Sequence, residues 1–513
     1  MSNNFHCCPS DYKQVLLLYP YKSYRESKTE CNEEEHVGDF ESRVVRASDK
    51  INSDKARSYP SNIIVKSRTK KRRATATIDE MRAAARHIIY SVSFLDSLCF
   101  GLIVPLLTPR ILSLGGSHTV AGIFISLQIL CQLLSVPLIN SFSKKFGYKS
   151  SLQKMLLINL ITLYLLGLTE SCFNLILIRS IYSLTNQTVY LCINILKEIM
   201  PKEEHFNIAN TLHASSVGGF VVGAVSGGYL FELYGFWEVC LVSCGFNFGA
   251  IVLLKNRNAF KPLQQMQEKD DKSSSGTKES ISESTTKRSI IKKSSVLDEF
   301  VDEVYINIAS AVVNFDSDVF SNQLFLFLSH FLFTLSGTIF FTKYPILLKV
   351  NYNASAVIIG YTVAYQRMII FVVNFTSGFI KSYFSLDKID NIVNVFFMLN
   401  IGFIGLCFAP LYEIYLLCFI PMIVAKTIVN DFWRSPTVVV ENKRESIGET
   451  LDVLGKLTEV IIPSIFGVFC DMYLELALQV FVLVPLMTML IFLPFTDRGP
   501  LKDSVKTKVK KND

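Results

Sequence analysis

The chain has 513 residues, half of them hydrophobic, and a formal net charge of +7. It is too long and too apolar for a single soluble domain. The positive charge is not the footprint of a nucleic-acid binder, because its placement along the chain accounts for it in another way.

Residues 1–85 are polar and charged with scattered aromatics, and are expected to form a disordered cytoplasmic tail. They end in the basic run Lys66–Arg73, a solvated stretch with some attraction to anionic lipid, at roughly 1 kcal/mol per basic residue near the surface. No cleavable signal peptide is expected, so the first membrane helix must itself direct insertion.

Apolar segments then follow near 88–107, 119–140, 152–170, 173–195, 208–231 and 236–254. A polar stretch separates them from a second set near 321–342, 355–380, 391–409, 411–429, 447–470 and 476–495. These are segments 1 to 12. Each is roughly 18–24 residues long, the length an α-helix needs to cross a ~30 Å hydrocarbon core. Lipid offers no partner to backbone amides, so each must be a helix that satisfies its own hydrogen bonds. The expected organisation is a six-helix half over 86–254, a cytoplasmic linker over 255–320, a second six-helix half over 321–497 and a basic cytoplasmic tail over 498–513. The linker's later part, Val296–Phe315, has the acidic and apolar alternation of an amphipathic surface helix. The predicted fold class is an all-α membrane protein of twelve transmembrane helices. Two repeats of six around a linker suit alternating access, in which one half rocks against the other.

Charge placement supports this layout. With the N-terminus inside, the short inner loops carry Lys144, Lys145, Lys149, Lys197, Lys202, Lys381, Lys388, Arg434, Lys443 and Arg444. The outer loops carry only Arg110, Lys343 and Lys349, a positive-inside bias. The twelve cysteines form no C-x-x-C pair and read as small apolar residues.

Charges inside segments are the first functional candidates, because a mid-membrane charge costs at least ~2.5–3.5 kcal/mol and usually faces the bundle interior with a partner. Asp96 in segment 1 and Arg179 in segment 4 could be such a pair, either static or working. Glu449, Asp452, Lys456 and Glu459 of segment 11 fall within an arc of about 80° at 100° per residue, a single charged stripe. Lys456 and Glu459 are deep enough to pair at i, i+3. Arg367 of segment 8 is a further interior candidate, and Pro421 and Pro463 could kink segments 10 and 11.

Three motifs carry a family resemblance. In segment 5, Gly219, Gly223 and Gly227 recur every fourth residue, with Ala224 and Gly228 beside them. Such a stripe admits another helix at close range. The sequence Gly-x-x-x-Gly-Ala-x-x-Gly-Gly resembles the helix-5 antiporter motif of the major facilitator superfamily, where the position of Ala224 is usually proline. The loop Asn140–Lys149 is similar to that family's signature inner loop. It keeps Gly147, Lys145 and Lys149, but has Asn140 for the first glycine and Lys144 for the usual aspartate. Phe94-Leu-Asp96 through Pro105, then Thr119–Gly122, with Arg179, resembles the drug:proton antiporter, tetracycline-resistance-like branch. The resemblance covers about residues 86–497. It implies the major facilitator fold and a secondary transporter of a small organic solute, coupled to protons, with a cavity lined by helices of both halves.

No phosphate-binding loop is present, and the seven histidines are too dispersed for a metal set, so no enzyme, cofactor or metal is expected. The implied partners are a small-molecule solute, protons and membrane lipid, with no nucleic acid. The expected location is the plasma or endolysosomal membrane, multi-pass. Two rival readings stay open: a proton-independent facilitator, favoured by Lys144 and Ala224, and a transport-inactive receptor or scaffold that works through its tail and linker.

The charge bias predicts that both termini and the 255–320 linker are cytoplasmic. Cysteines placed in the linker should resist a membrane-impermeant thiol reagent added outside intact cells; labelling there would overturn the topology.

Overall fold

The computed structural model describes residues 61–255, 324–376, 389–433 and 444–473, with isolated positions beyond them. Segment 12, most of the tail and linker, Val296–Phe315 and the inner loop 378–387 of the second half lie outside the described residues. The helices from Ile88 onward belong to one compact unit. The N-terminal stretch of the first helix, up to His87, belongs to a second.

The described helices follow the segment order. The first, α1 (Ser61–Ser113), begins 27 residues before segment 1, inside the stretch expected to be disordered. Its early sequence is rich in Lys, Arg and Ala, all strong helix formers, and it runs without interruption into the membrane segment. Segments 2 and 3 are α2 (His118–Phe146) and α3 (Tyr148–Gly167). Segment 4 departs from expectation. It is two helices, α4 (Cys172–Thr185) and α5 (Thr188–Ile199), parted at Asn186-Gln187. After a 3-10 turn at Lys202–Glu204 come α6 (His205–Tyr234) and α7 (Phe236–Leu254). The second half gives α8 (Leu324–Tyr352), α9 (Ala356–Phe375), α10 (Ile389–Phe408), α11 (Tyr412–Trp433) and α12 (Arg444–Met472). Eight of these stretches are long and apolar enough to cross a membrane. Exposed Leu157, Ile161, Phe173, Leu177, Phe397 and Leu417 supply the outward apolar surface such helices turn to lipid.

Two turns use a single glycine. Gly147 (φ 78°) separates α2 from α3, and Gly235 (φ 104°) separates α6 from α7. An L side chain is disfavoured at such φ, so each hairpin depends on glycine. The Gly147 N–H closes α2 on the Ser143 carbonyl at 2.8 Å, and its own carbonyl accepts from the Ser151 N–H at 3.0 Å to open α3.

The halves meet along two helix pairs, α2 with α12 and α6 with α9. Helix α6 is the hub, with close contacts on two faces. On one, a Cβ at Gly219, Gly223 or Gly227 would collide with the carbonyl of Phe94, Leu98 or Leu102 of α1. On the other, a Cβ at Gly228 would stand 2.7 Å from the Ala356 carbonyl oxygen of α9, and one at Gly360 would strike the Ala224 carbonyl. Ala224 is fully buried at this contact. The antiporter-like motif is thus the surface by which α6 grips both its own half and the other.

The α2–α12 pair is built similarly. A Cβ at Gly122 would meet the Pro463 carbonyl, one at Gly467 would stand 2.6 Å from the His118 carbonyl oxygen, and the Ser126 and Ser464 hydroxyls bond at 2.8 Å. The contacts between the halves lie toward one end of the bundle, where α1, α6 and α12 finish and α2 and α9 start. We call it the far end. Two carboxylates complete it. Asp471, at the end of α12, accepts from the backbone N–H groups of His118 and Thr119 at 2.8 and 2.9 Å and from the Thr119 hydroxyl at 2.5 Å. Glu232, near the end of α6, accepts from the Val357 N–H at 3.1 Å. Each half therefore caps the first turn of a helix in the other, satisfying N–H groups that a helix start leaves without partners. Tyr229 and Tyr361 add a hydroxyl–hydroxyl bond of 3.0 Å across the same seam.

This packing is open to test at two places. Gly223→Leu or Gly227→Leu should destabilise the protein by about 1–3 kcal/mol or more through overpacking against rigid backbone, read as a lowered thermal midpoint; a variant of unchanged stability would show that α6 does not need this contact. The double variant Glu232→Ala/Asp471→Ala removes two caps worth about 1 kcal/mol each. A cysteine at Ser126 should then react more than about tenfold faster with a thiol reagent than in the parent, and an unchanged rate would show that the caps do not hold this end shut.

Candidate functional site

The two charges of the N-terminal half do not pair. Asp96 and Arg179 are buried, 3% and 1% exposed. None of the three guanidinium nitrogens has a hydrogen-bond partner among the described residues, so the expected bond between them is absent. The break in segment 4 gives the reason. It ends α4 just after Arg179's turn and starts α5 at Thr188, whose hydroxyl lies beside the Asp96 carboxylate. A helix start carries partial positive charge, so the N-terminus of α5 is what answers Asp96. Arg179 instead lies against aromatic faces, 5.1 Å from the Phe100 ring centre and 4.5 Å from that of Tyr182. Those rings stack 6.4 Å apart.

Neither glycine nor proline marks the break; buried polar side chains hold it. Gln187 donates to the Ser135 hydroxyl at 2.6 Å, and Thr185 donates to the Asn159 side-chain oxygen at 2.6 Å, which ties the break to α2 and α3. Inside a membrane, irregular backbone is tolerated only where protein encloses it.

In the C-terminal half, Lys456 and Glu459 form the expected ion pair at 2.7 Å, each side chain about two-fifths exposed. Asp452 of the same stripe is exposed. Arg367 projects from α9 onto α6, its guanidinium carbon 5.0 Å from the Phe220 ring centre. Phe220 packs 5.9 Å from Phe100. An unbroken path of contacts therefore runs Arg179, Phe100, Phe220, Arg367 from one half to the other.

One further charge lies in the second half. Lys426 of α11 is partly buried, with its ammonium 3.9 Å from the Phe341 ring centre on α8. The charges of Glu459, Lys456 and Arg367 all act on it. Lys426 stands three residues from the inner end of segment 10, where a lysine reads as part of the inner-face charge bias rather than as a mid-membrane charge.

The inner-loop motif is arranged around Gly147. Lys144 and Lys145 are exposed at the end of α2, and Lys149 is partly buried at the start of α3. Asn140, which replaces the first glycine, accepts a hydrogen bond from the Tyr190 hydroxyl and so joins α2 to α5. Lys154 of α3 lies 3.3 Å from the Phe146 ring centre, adding a cation–aromatic contact across the hairpin.

Comparisons with known proteins agree with this architecture. The family model described as Major Facilitator Superfamily matches residues 89–434. The class E tetracycline resistance protein of Escherichia coli is 26% identical over 145 residues, covering 28% of this chain and 36% of that protein. The multi-drug resistance efflux pump PmrA of Streptococcus pneumoniae is 28% identical over 165 residues, 31% of this chain and 41% of that one. The chain thus spans about two-fifths of the length of the curated relatives it matches. Among solved structures, the bacterial homolog of the human lysosomal transporter Spinster, in an inward-facing and unoccupied conformation, has a TM-score of 0.52 at 13% identity, covering 82% of this chain and 95% of that one. A mutant form of the peptide transporter POT has a TM-score of 0.55 at 11% identity, covering 83% and 99%. A mutant form of the nucleoside transporter NupG has a TM-score of 0.53 at 12% identity, covering 80% and 99%. With a family model matching more than half of its residues, and with paired halves joined through a glycine-rich helix, the chain belongs to the Major Facilitator Superfamily.

Proposed function

We propose that this protein is a secondary transporter that carries a small organic solute by alternating access, in exchange for protons. The observation that carries this reading is the seam between the halves: two helix pairs in backbone contact at the far end, with Asp96 and Arg179 buried in one half and a set of charges in the other. A seam closed at one end, with buried charges in each half, suits alternating access. The partial likeness to tetracycline-resistance and multi-drug efflux proteins supports a place in the drug:proton antiporter branch. The charge bias of the loops puts both termini on the cytoplasmic side and makes the far end the outer or lumenal end. The basic inner-loop residues Lys145 and Lys149, hinged at Gly147, then lie at the cytoplasmic mouth.

Asp96 is the proton carrier in this scheme. Its carboxylate lies beside Thr188 at the start of α5, and its Oδ1 has no hydrogen-bond partner among the described residues. Protonation removes the charge that the α5 N-terminus attracts, so proton binding can loosen α1 from α5 and shift the balance between two states. Lys456 and Glu459, already paired, carry the corresponding polar contact in the second half. A second reading, a proton-independent facilitator, is favoured by Lys144 in place of the usual aspartate and by Ala224 in place of proline.

The test uses the purified full chain in proteoliposomes with a metabolite extract outside, and reads the vesicle contents by mass spectrometry with and without an imposed pH step. The step should drive accumulation of at least one solute in the parent protein. In Asp96→Asn that pH dependence should vanish while exchange continues. Full pH-driven accumulation by Asp96→Asn would move the proton site to Glu459 or Asp452, and accumulation that ignores pH in the parent would establish the facilitator.

A further inference from the structure

We infer that the transported solute is an organic anion with an apolar or aromatic body, gripped chiefly by Lys426 and Arg179. The inference rests on the transport reading above and adds the chemical class of the substrate.

The charge balance is the first argument. In the second half, Lys426 (α11) feels two other cations, Arg367 (α9) and Lys456 (α12), and one carboxylate, Glu459 (α12). Glu459 is already bonded to Lys456 at 2.7 Å. That pair cancels, and the charge of Lys426 is left over. No hydrogen bond or ion pair holds the Lys426 ammonium among the described residues; its neighbours are the Phe341 ring at 3.9 Å and Gly337, where a Cβ would stand 3.6 Å from Nζ. The absence of a side chain at Gly337 leaves room beside the charge. A half-buried cation near the inner end of a membrane helix, with no carboxylate of its own among the described residues, is a place for a counter-charge. A solute can bring it.

Arg179 gives the second, independent argument from the other half. It is 1% exposed, its Nε, Nη1 and Nη2 meet no carboxylate among the described residues, and the neighbour acting on it is the Tyr182 side chain. Buried donors are almost always satisfied, and an exception calls for an explanation, a bound anion being one. Guanidinium is also the side chain that best receives a planar carboxylate or a phosphate, with two parallel N–H bonds. Asp96 does not serve it: no bond joins the two, and Asp96 lies beside Thr188 instead. A path of packed rings runs from Arg179 through Phe100 and Phe220 to Arg367, and Phe341 adds another beside Lys426. Rings suit the body of an amphipathic organic anion, and the cations suit its acidic group.

The test compares two xanthene dyes of similar ring system and opposite charge, anionic fluorescein and cationic rhodamine 123. Dye fluorescence anisotropy is titrated with the purified full chain in detergent, with empty micelles as baseline. Fluorescein should bind and rhodamine 123 should bind much more weakly. Lys426→Gln should weaken fluorescein binding by roughly tenfold or more, the loss of one charge-assisted contact, and Lys426→Arg should restore it. Lys426 is partly exposed, so Lys426→Gln is expected to fold; Arg179→Lys, which keeps the charge and loses the paired donors, gives a second variant that should also weaken binding. No fluorescein binding, equal affinity for both dyes, or unchanged affinity in Lys426→Gln overturns the anion site. Proteoliposome uptake separates the two claims. Fluorescein binding without uptake overturns the transport reading and leaves the anion site standing, whereas rhodamine 123 uptake without fluorescein binding does the reverse.

Discussion

Backbone-to-backbone contact between helices is the constraint on which the rest of this protein depends. Lipid tails are as apolar as leucine, so helices in a membrane gain little from hiding apolar side chains and must be held by close van der Waals fit and polar contacts. Helix α6 meets that demand on two faces. Gly219, Gly223 and Gly227 let its axis approach α1, and Ala224 and Gly228 let it approach α9. One helix thereby belongs to its own half and to the seam. The buried cluster of the second half also contains Phe220 and Ala224 of α6, with Phe100 and Val104 of α1 packed against it. The core of one half is thus completed by side chains of the other, and the seam is part of the packing rather than a gap between two finished domains.

The charged side chains follow from the same geometry. Because α6 and α1 lie so close, Phe100 and Phe220 touch and bring Arg179 and Arg367 to opposite ends of one aromatic pair. Because segment 4 breaks at Asn186-Gln187, a helix start is delivered to Asp96 in the middle of the bundle. A continuous helix there would have offered the carboxylate only backbone groups already bonded within the helix. The break and the buried acid therefore explain each other, and the Gln187–Ser135 and Thr185–Asn159 bonds satisfy polar groups at the interruption.

The sequence made some of this legible and concealed the rest for identifiable reasons. Apolar length set the helices, because crossing a bilayer leaves little freedom in how long a segment is. The four-residue glycine spacing announced a close contact, although it named no partner. Lys456 and Glu459 were readable as a pair because i, i+3 spacing on a helix fixes their proximity. The relation of Asp96 to Arg179 was not readable. A pairing was inferred from shared depth, and depth says nothing about rotation around a helix axis. The break escaped because Asn186 and Gln187 are ordinary residues; the bonds that hold it come from α2 and α3, far away in sequence. Glu232 and Asp471 escaped because they sit at helix ends, where a carboxylate normally reads as solvated surface.

Those two end carboxylates have a consequence for how the halves can part. The first half lends Glu232 to the second, and the second lends Asp471 to the first, so the molecule is fastened at both sides of its far end like a double clasp. Releasing one clasp alone gains little freedom, because the other keeps the separated groups at a high effective concentration and favours their return. Separation is therefore cooperative, and partly open forms are short-lived. On the proposed transport reading, a molecule fastened this way passes between shut and open as a single event, which limits leakage through half-open forms.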